Sequence, residues 1–293
     1  MTVDGGSGLD LSQRPSSRTR TDRAMTAVML VCLLAVVVPL AAVVYTLLKN
    51  GAGQLSAEFF TADIPTISRI EGPGMGPAIV GTLLITAVAA AMALPLGILG
   101  AIYLNESSAG GRLGRLIRFM ATVMTGVPSV VMGLFVYVTY TLRFKQNAFG
   151  GALALAFLML PVVIRTTEEM LKLVPDNLRE ASAALGARRS RTVLTVVLPA
   201  ALPGVVSGCL LAVARAAGET APILFVVGAA TSVNTNVFRE VNTALSAQIF
   251  ANAQLPFEGA QQRAWGAALT LVLLAFVITL IARVVTARFA LKR

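Results

Sequence analysis

Arg215 and Glu219 stand four residues apart inside an apolar run that extends from Ala200 to Ala230. At that spacing the two side chains share one helix face and can pair. A charge in the middle of an apolar run is costly in a bilayer, so it faces protein or a solute pathway. Two readings fit. The pair neutralises itself and is structural, or Arg215 meets a tetrahedral oxyanion in transit while Glu219 limits how tightly the anion is held. The planar fork of arginine suits such an anion. Thr220 follows at once, and Pro222 removes a helix hydrogen bond; a break there would start a half-helix whose N–H groups can face an anion. Ser129, after Gly126-Val127-Pro128, and the pair Arg165 and Glu168 complete the polar candidates. The hydroxyls of Ser129 and Thr220 either serve an anion or bond back to their own helix. Arg165 and Glu168 either line an inner gate or form a solvated i, i+3 pair.

Other chemistry is excluded by what is missing. There is no histidine, which removes the commonest metal ligand and the commonest general base. Cys32 and Cys209 sit within separate apolar runs and are expected to be buried small hydrophobes. Nothing resembles GxxxxGK[ST], so the chain has no such route to ATP. No catalytic residue, metal site or cofactor is expected on this chain, and it is not expected to be an enzyme. The net charge of +10 would suit nucleic acid, but the basic residues flank apolar runs, where they act as topology signals.

The elements that must position these residues are membrane helices. Of 293 residues, 56% are hydrophobic and 13% charged, and the mean hydropathy is +0.78. The sequence predicts an all-α integral membrane protein with about six transmembrane helices. The runs are 25–48, 77–104, 117–142, 148–164, 200–230 and 264–285, each long enough to cross a hydrocarbon core. Residues 1–23 are polar and are expected to be a disordered cytoplasmic tail; residues 24–293 form the transmembrane domain. With both termini in the cytoplasm, 17 Lys and Arg fall inside and six outside, the bias of a multi-pass plasma-membrane protein in that orientation. Pro39, Pro95, Pro128, Pro161 and Pro222 interrupt the runs. So many breakers suit a transport core better than an anchor.

Between the fourth and fifth runs, residues 165–199 alternate charge with Leu, Val and Ala. After Pro175, Asn177 is placed to cap a short helix with Glu180 at its third position. Gly186 would end that helix, and Ser190 would cap a second helix leading to Pro199. Leu178, Ala181 and Leu185 share one side. Physics alone leaves an amphipathic interfacial loop open.

The spacing narrows this. Glu180-Ala181-Ser182, Gly186, and Val196-Val197-Leu198-Pro199 resemble the EAA motif of ABC importer permeases, departing from it at Ser182, where the pattern has Ala, and at Val196, where Ile is usual. Arg165-Thr166-Thr167-Glu168-Glu169, Gly126-Val127-Pro128-Ser129, the stretch Arg215 to Pro222, and Arg263-Ala264-Trp265-Gly266 resemble the PstA family of phosphate importer permeases, over about residues 76–286. The sister PstC family shares a related Arg…Gly-Glu-Thr stretch.

That resemblance implies a type I ABC importer permease fold, with its core at about 76–286, and inward transport of inorganic phosphate by alternating access. ATP hydrolysis, with its Mg, would belong to a PstB-like homodimer that receives Glu180, Ala181, Ser182, Leu185 and Gly186. A PstC-like permease and a PstS-like external phosphate-binding protein would complete the complex in a prokaryotic inner membrane. Arg215, Glu219, Thr220, Arg165, Glu168 and Ser129 remain the candidates for lining the substrate pathway, with the structural readings given above still open for each. Two alternatives stay open: a permease of the same architecture for another oxyanion, such as sulfate or molybdate, or another solute, and a secondary transporter driven by an ion gradient, which would not need the ATPase docking segment.

Overall fold

The computed structural model describes residues 17–67, 69, 72, 74–107 and 111–290. The described residues divide into two compact units, parted between Lys49 and Asn50. The first holds the helix α1 (Ser17–Gly51) as far as Lys49. It is helical from Ser17, so residues 17–23 of the expected disordered tail continue the first span; residues 1–16 of that tail lie outside the described residues. Propagation from the long apolar helix costs little once it is nucleated, so it runs on into its polar flank. Cys32 on this helix is exposed, against expectation, because its stretch of α1 presents its apolar side chains outward; Cys209 is buried as expected.

The second unit begins with the short α2 (Ala57–Thr61), capped by Ser56, whose hydroxyl accepts from the Phe59 amide. The long helix α3 (Gly76–Ile102) follows and ends in a wider π-turn over Tyr103–Ser107. Phe59, Met75 and Ala78 bury together with Leu245 and Ala267, which ties the segment before α3 to the later chain.

The third apolar run is not one straight span. It forms α4 (Arg112–Gly126) and α5 (Ser129–Val136), and the pair bends by 106°. The cause is local: Pro128 has an extended backbone and no N–H, and Val127 before it is extended too, as the residue preceding proline prefers. A π-turn and the short α6 (Leu142–Phe144) complete the run.

Helix α7 (Ala148–Lys172) starts at Asn147, whose side chain accepts from the Gly150 amide. It is the most enclosed long helix: 61% of its apolar window is buried, against 33% for 76–106 and 22% for 258–284. Close packing on both sides explains this. Gly97 on α3 leaves room for Val163, since a Cβ there would meet its Cγ1 at 2.6 Å. Small residues let helix backbones approach where lipid supplies no hydrophobic drive.

The loop after α7 holds α8 (Asp176–Ala184) and α9 (Arg189–Thr192). A π-turn over Val193–Val197 joins α9 to α10 (Leu198–Ala217). The fifth run breaks after Ala217, and the short α11 (Ala221–Val226) begins with Pro222 in its first turn. An irregular segment with bends, in which Asn234 and Asn236 accept from nearby amides, then leads to α12 (Leu245–Ala253) and the last long helix, α13 (Glu258–Ala290). Among the described residues, five helices are long and apolar enough to cross a membrane, and the bent pair, counted as one span, raises this to six. That agrees with the expected count while replacing one of its spans by a kinked one.

Candidate solute site and docking surface

The two broken runs meet. Helix α5 packs on α11, with Gly133 against Pro222. At the kink lies a cavity of about 380 Å³ lined by Gly126, Pro128, Ser129, Pro161, Arg215 and Glu219 among others. Ser129 opens α5 and Glu219 follows the end of α10, so both sit where a helix stops and its backbone turns. The Glu219 carbonyl accepts from Ser246 Oγ of α12 at 3.0 Å, which holds the break in place.

Arg215 differs from expectation. Its side chain is 74% exposed within this chain, while that of Glu219 is 21% exposed. The guanidinium projects into open space at the cavity instead of being buried in the span. Arg215 Nε lies 3.6 Å from Glu219 Oε1, longer than a charge-assisted hydrogen bond. The carboxylate is close enough to bias the guanidinium and too far to consume its donors. Thr220 precedes α11 without a side-chain cap bond, and α11 itself is six residues long. The half-helix start that Pro222 suggested is present, but a helix so short carries little dipole.

A second cavity, of about 350 Å³, holds Arg118, Thr122, Arg165, Glu168, Glu169 and Lys172. Arg165 and Glu168 do not pair with each other. Arg165 donates to Thr122 Oγ1 at 3.2 Å. Glu168, nearly buried, binds Arg118 Nε at 3.0 Å and Lys172 Nζ at 2.8 Å. The Arg118 fork also donates to the Leu104 carbonyl at 2.9 Å. The simple i, i+3 pair is therefore replaced by a triad across α4 and α7. Arg118 and Lys172 were missed at the sequence level because they served only as topology charges. The i, i+4 spacing of Glu168 and Lys172 was the available signal.

The segment from Glu180 to Pro199 forms a helix, a glycine turn and a second helix, as its spacing predicts, but the caps differ. Pro175 stands at the N-cap of α8 in place of Asn177, and Arg188 precedes α9 in place of Ser190. The rigid φ of proline already sets the entry to α8, so no side-chain cap forms. The other end matches. Gly186 has φ +76; its amide donates to the Ala183 carbonyl at 2.9 Å and the Ala187 amide to Ser182 at 3.2 Å, the double bond of a Schellman stop. Ser182 bridges to Thr192 at 2.8 Å between their hydroxyls. Its departure from the EAA pattern is thus used to join α8 to α9.

Leu178, Glu180, Ala181 and Leu185 are exposed, Leu185 by 89%. The outer side of α8 is thus apolar at Leu178, Ala181 and Leu185 and uncovered by the described residues. Arg179, missed in the sequence, anchors this helix. It donates to the carbonyls of Leu171 and Val174 at 3.0 and 2.6 Å. It also pairs with Asp176 at 2.9 Å and with Glu106, at the end of α3, at 3.2 Å. Among the described residues no group of three His, Cys, Asp or Glu side chains is placed to hold a metal ion.

Comparison with known proteins agrees with this architecture. Residues 93–291 match the family described as binding-protein-dependent transport system inner membrane component. The phosphate transport system permease protein PstA 1 of Mycobacterium tuberculosis (strain H37Rv) is 47% identical over 222 residues, 75% of this chain and 71% of that protein. The PstA of Yersinia pestis is 37% identical over 247 residues, 84% of this chain and 83% of that protein. Among solved structures, an inward-facing form of the MetNI methionine ABC transporter has a TM-score of 0.61 at 20% identity, covering 72% of this chain and 94% of that one. A bacterial ABC transporter for the import of alginate has a TM-score of 0.65 at 14% identity, covering 94% and 99%. These structures share the fold, and the sequence relatives share the family. The chain belongs to the binding-protein-dependent transport system inner membrane components, an ABC importer family, and within it to the PstA permeases.

Proposed function

We propose that this chain carries inorganic phosphate across the inner membrane, with Arg215 as the residue that meets the anion. The observation that supports this most is the exposed guanidinium of Arg215 in a cavity where two broken spans meet. Broken helices at mid-membrane free backbone groups beside a binding site. Arg215 offers donors to the anion, and Glu219 at 3.6 Å keeps the hold loose enough for release. Ser129 and Thr220 supply hydroxyls at the rims of the two breaks.

Residues 24–293 act as the permease domain and 165–199 as its coupling segment. Leu185, Ala181 and Glu180 dock on an ATPase homodimer, whose closure moves the bundle between outward- and inward-open states. A PstC-like permease completes the pathway on the open side of Arg215, and a PstS-like protein delivers phosphate from outside. Both termini lie in the cytoplasm. PstA of Yersinia pestis and of Mycobacterium tuberculosis bear names that state phosphate transport, which supports this substrate over other oxyanions.

The test is ATP-driven uptake of radiolabelled phosphate by the reconstituted complex, with unlabelled sulfate or molybdate as competitors. Uptake should need ATP and withstand both competitors. Suppression by sulfate or molybdate, with phosphate ineffective as competitor, would overturn the substrate. Uptake by this chain without an ATPase would overturn the mechanism.

A further inference from the structure

The two polar cavities follow one seam between α4 and α7. On α7, Leu158 and Val162 line the first, and Arg165, Glu168 and Lys172 line the second. These residues recur every three or four positions, so they form one stripe. On α4, Thr125 lines the first cavity while Thr122 and Arg118 line the second, again one stripe. From Leu158 to Lys172 the helix rises about 21 Å, roughly two thirds of a hydrocarbon core of about 30 Å.

The charges along the seam are unevenly committed. Glu168 holds Arg118 and Lys172. Arg165 is exposed and bonds only the neutral hydroxyl of Thr122, with no ion pair to a described carboxylate. An anion reaching this cavity meets one available guanidinium beside a hydroxyl. Two more cations stand within the same cavity but are occupied by Glu168, and a second carboxylate, the exposed Glu169, lines the cavity as well.

We infer that the second cavity is a release station for a tetrahedral oxyanion, in which Arg165 and Thr122 take the anion and Glu168 competes with it for Arg118 and Lys172. This rests on the proposed transport of phosphate and deepens it. The role of Glu168 is to keep the station weak. Conduction needs sites attractive enough to enter and poor enough to leave; three free cations in one cavity would trap a divalent anion. Glu168 leaves one.

The experiment uses the full complex with its partner subunits, its ATPase sites filled with ADP. Binding of radiolabelled phosphate is measured in an Arg215→Ala background, which silences the first station. Glu168→Gln should tighten phosphate binding about tenfold or more, a shift of about 1.4 kcal/mol, because it frees two cations. Adding Lys172→Gln should return affinity part of the way, because Arg118 stays free, a rescue that damaged packing would not produce. Arg165→Gln should abolish the binding. With Arg215 intact, Glu168→Gln should lower the maximal uptake rate while ATP hydrolysis continues.

Unchanged affinity in Glu168→Gln, or no rescue by Lys172→Gln, overturns the station. Should Glu168→Gln fail to assemble, Arg165→Gln decides, since its exposed side chain leaves packing intact: retained binding overturns the inference and lost binding supports it. Wild-type complex that takes up no phosphate overturns the functional reading instead, so the two failures are told apart.

Discussion

Gly133 and Pro222 meet backbone to ring where the two broken spans pack: a Cβ on Gly133 would lie 2.5 Å from Pro222 Cα and 3.1 Å from its Cβ. Neither neighbour can swing aside, because one atom belongs to the backbone and the other to a fixed ring. Gly133→Ala is therefore expected to destabilise by about 1–3 kcal/mol, the usual cost of overpacking, and Gly133→Val by more. Thermal inactivation of the purified complex measures this. A Gly133→Ala protein as stable as wild type would mean that α5 and α11 are not held in contact.

Arg215 invites a cleaner separation of function from folding. Its side chain is 74% exposed, so Arg215→Ala removes little packing. Uptake is expected to fall at least a hundredfold while assembly with the ATPase persists, as checked by co-purification. Arg215→Lys keeps the charge but loses the planar fork, and should recover only part of the rate. Normal uptake by Arg215→Ala would remove this residue from the pathway.

What could be read from the sequence follows from the range of the forces involved. The apolar runs, the glycine stop at Gly186 and the helix–turn–helix before Pro199 are local, and hydropathy and φ preference decide them. The bend at Val127–Pro128 is local too, yet hydropathy passes over it because the residues on both sides are apolar. Arg118 binding Glu168, and Arg179 binding Glu106, join residues 50 and 73 positions apart. No periodicity links such partners, so they emerged only with the packing of α4, α7 and α8 around the end of α3. The exposure of Arg215 was hidden for the opposite reason: a mid-span charge looks buried until the bend of a neighbouring helix opens space beside it.

Arg179 ties the exposed helix α8 to the end of α3 through Glu106, and both side chains are largely enclosed. Arg179→Ala removes the cation beside Glu106, which keeps only the neutral donor Asn105 Nδ2 at 2.8 Å, and takes a donor from two carbonyls, at a cost of about 1.5–3 kcal/mol for each charged hydrogen bond. Asp176, whose side chain is 87% exposed, contributes roughly 0–1 kcal/mol as a surface partner. Arg179→Ala should therefore lower both assembly with the ATPase and uptake, while Asp176→Asn behaves nearly as wild type. Co-purification of the subunits is the measurement, and equal behaviour of the two variants would show that the link to α3 does not matter.

Gly186 isolates backbone conformation from packing. A Cβ built there meets nothing within 4 Å, so any defect on substitution must come from its φ of +76. A β-branched residue is strained in that region, whereas asparagine tolerates it. Gly186→Val is expected to unwind the Schellman stop, turn Leu185 away from its docking direction, and either uncouple ATP hydrolysis from uptake or prevent assembly. Membrane insertion should be unaffected, because α8 and its turn lie outside the spanning helices. Gly186→Asn should retain most of the uptake. The comparison is made by measuring ATP hydrolysis and phosphate uptake on the same vesicles. Normal coupled uptake in Gly186→Val would show that the turn can be remade without loss, and that the exposed face of α8 does not carry the coupling.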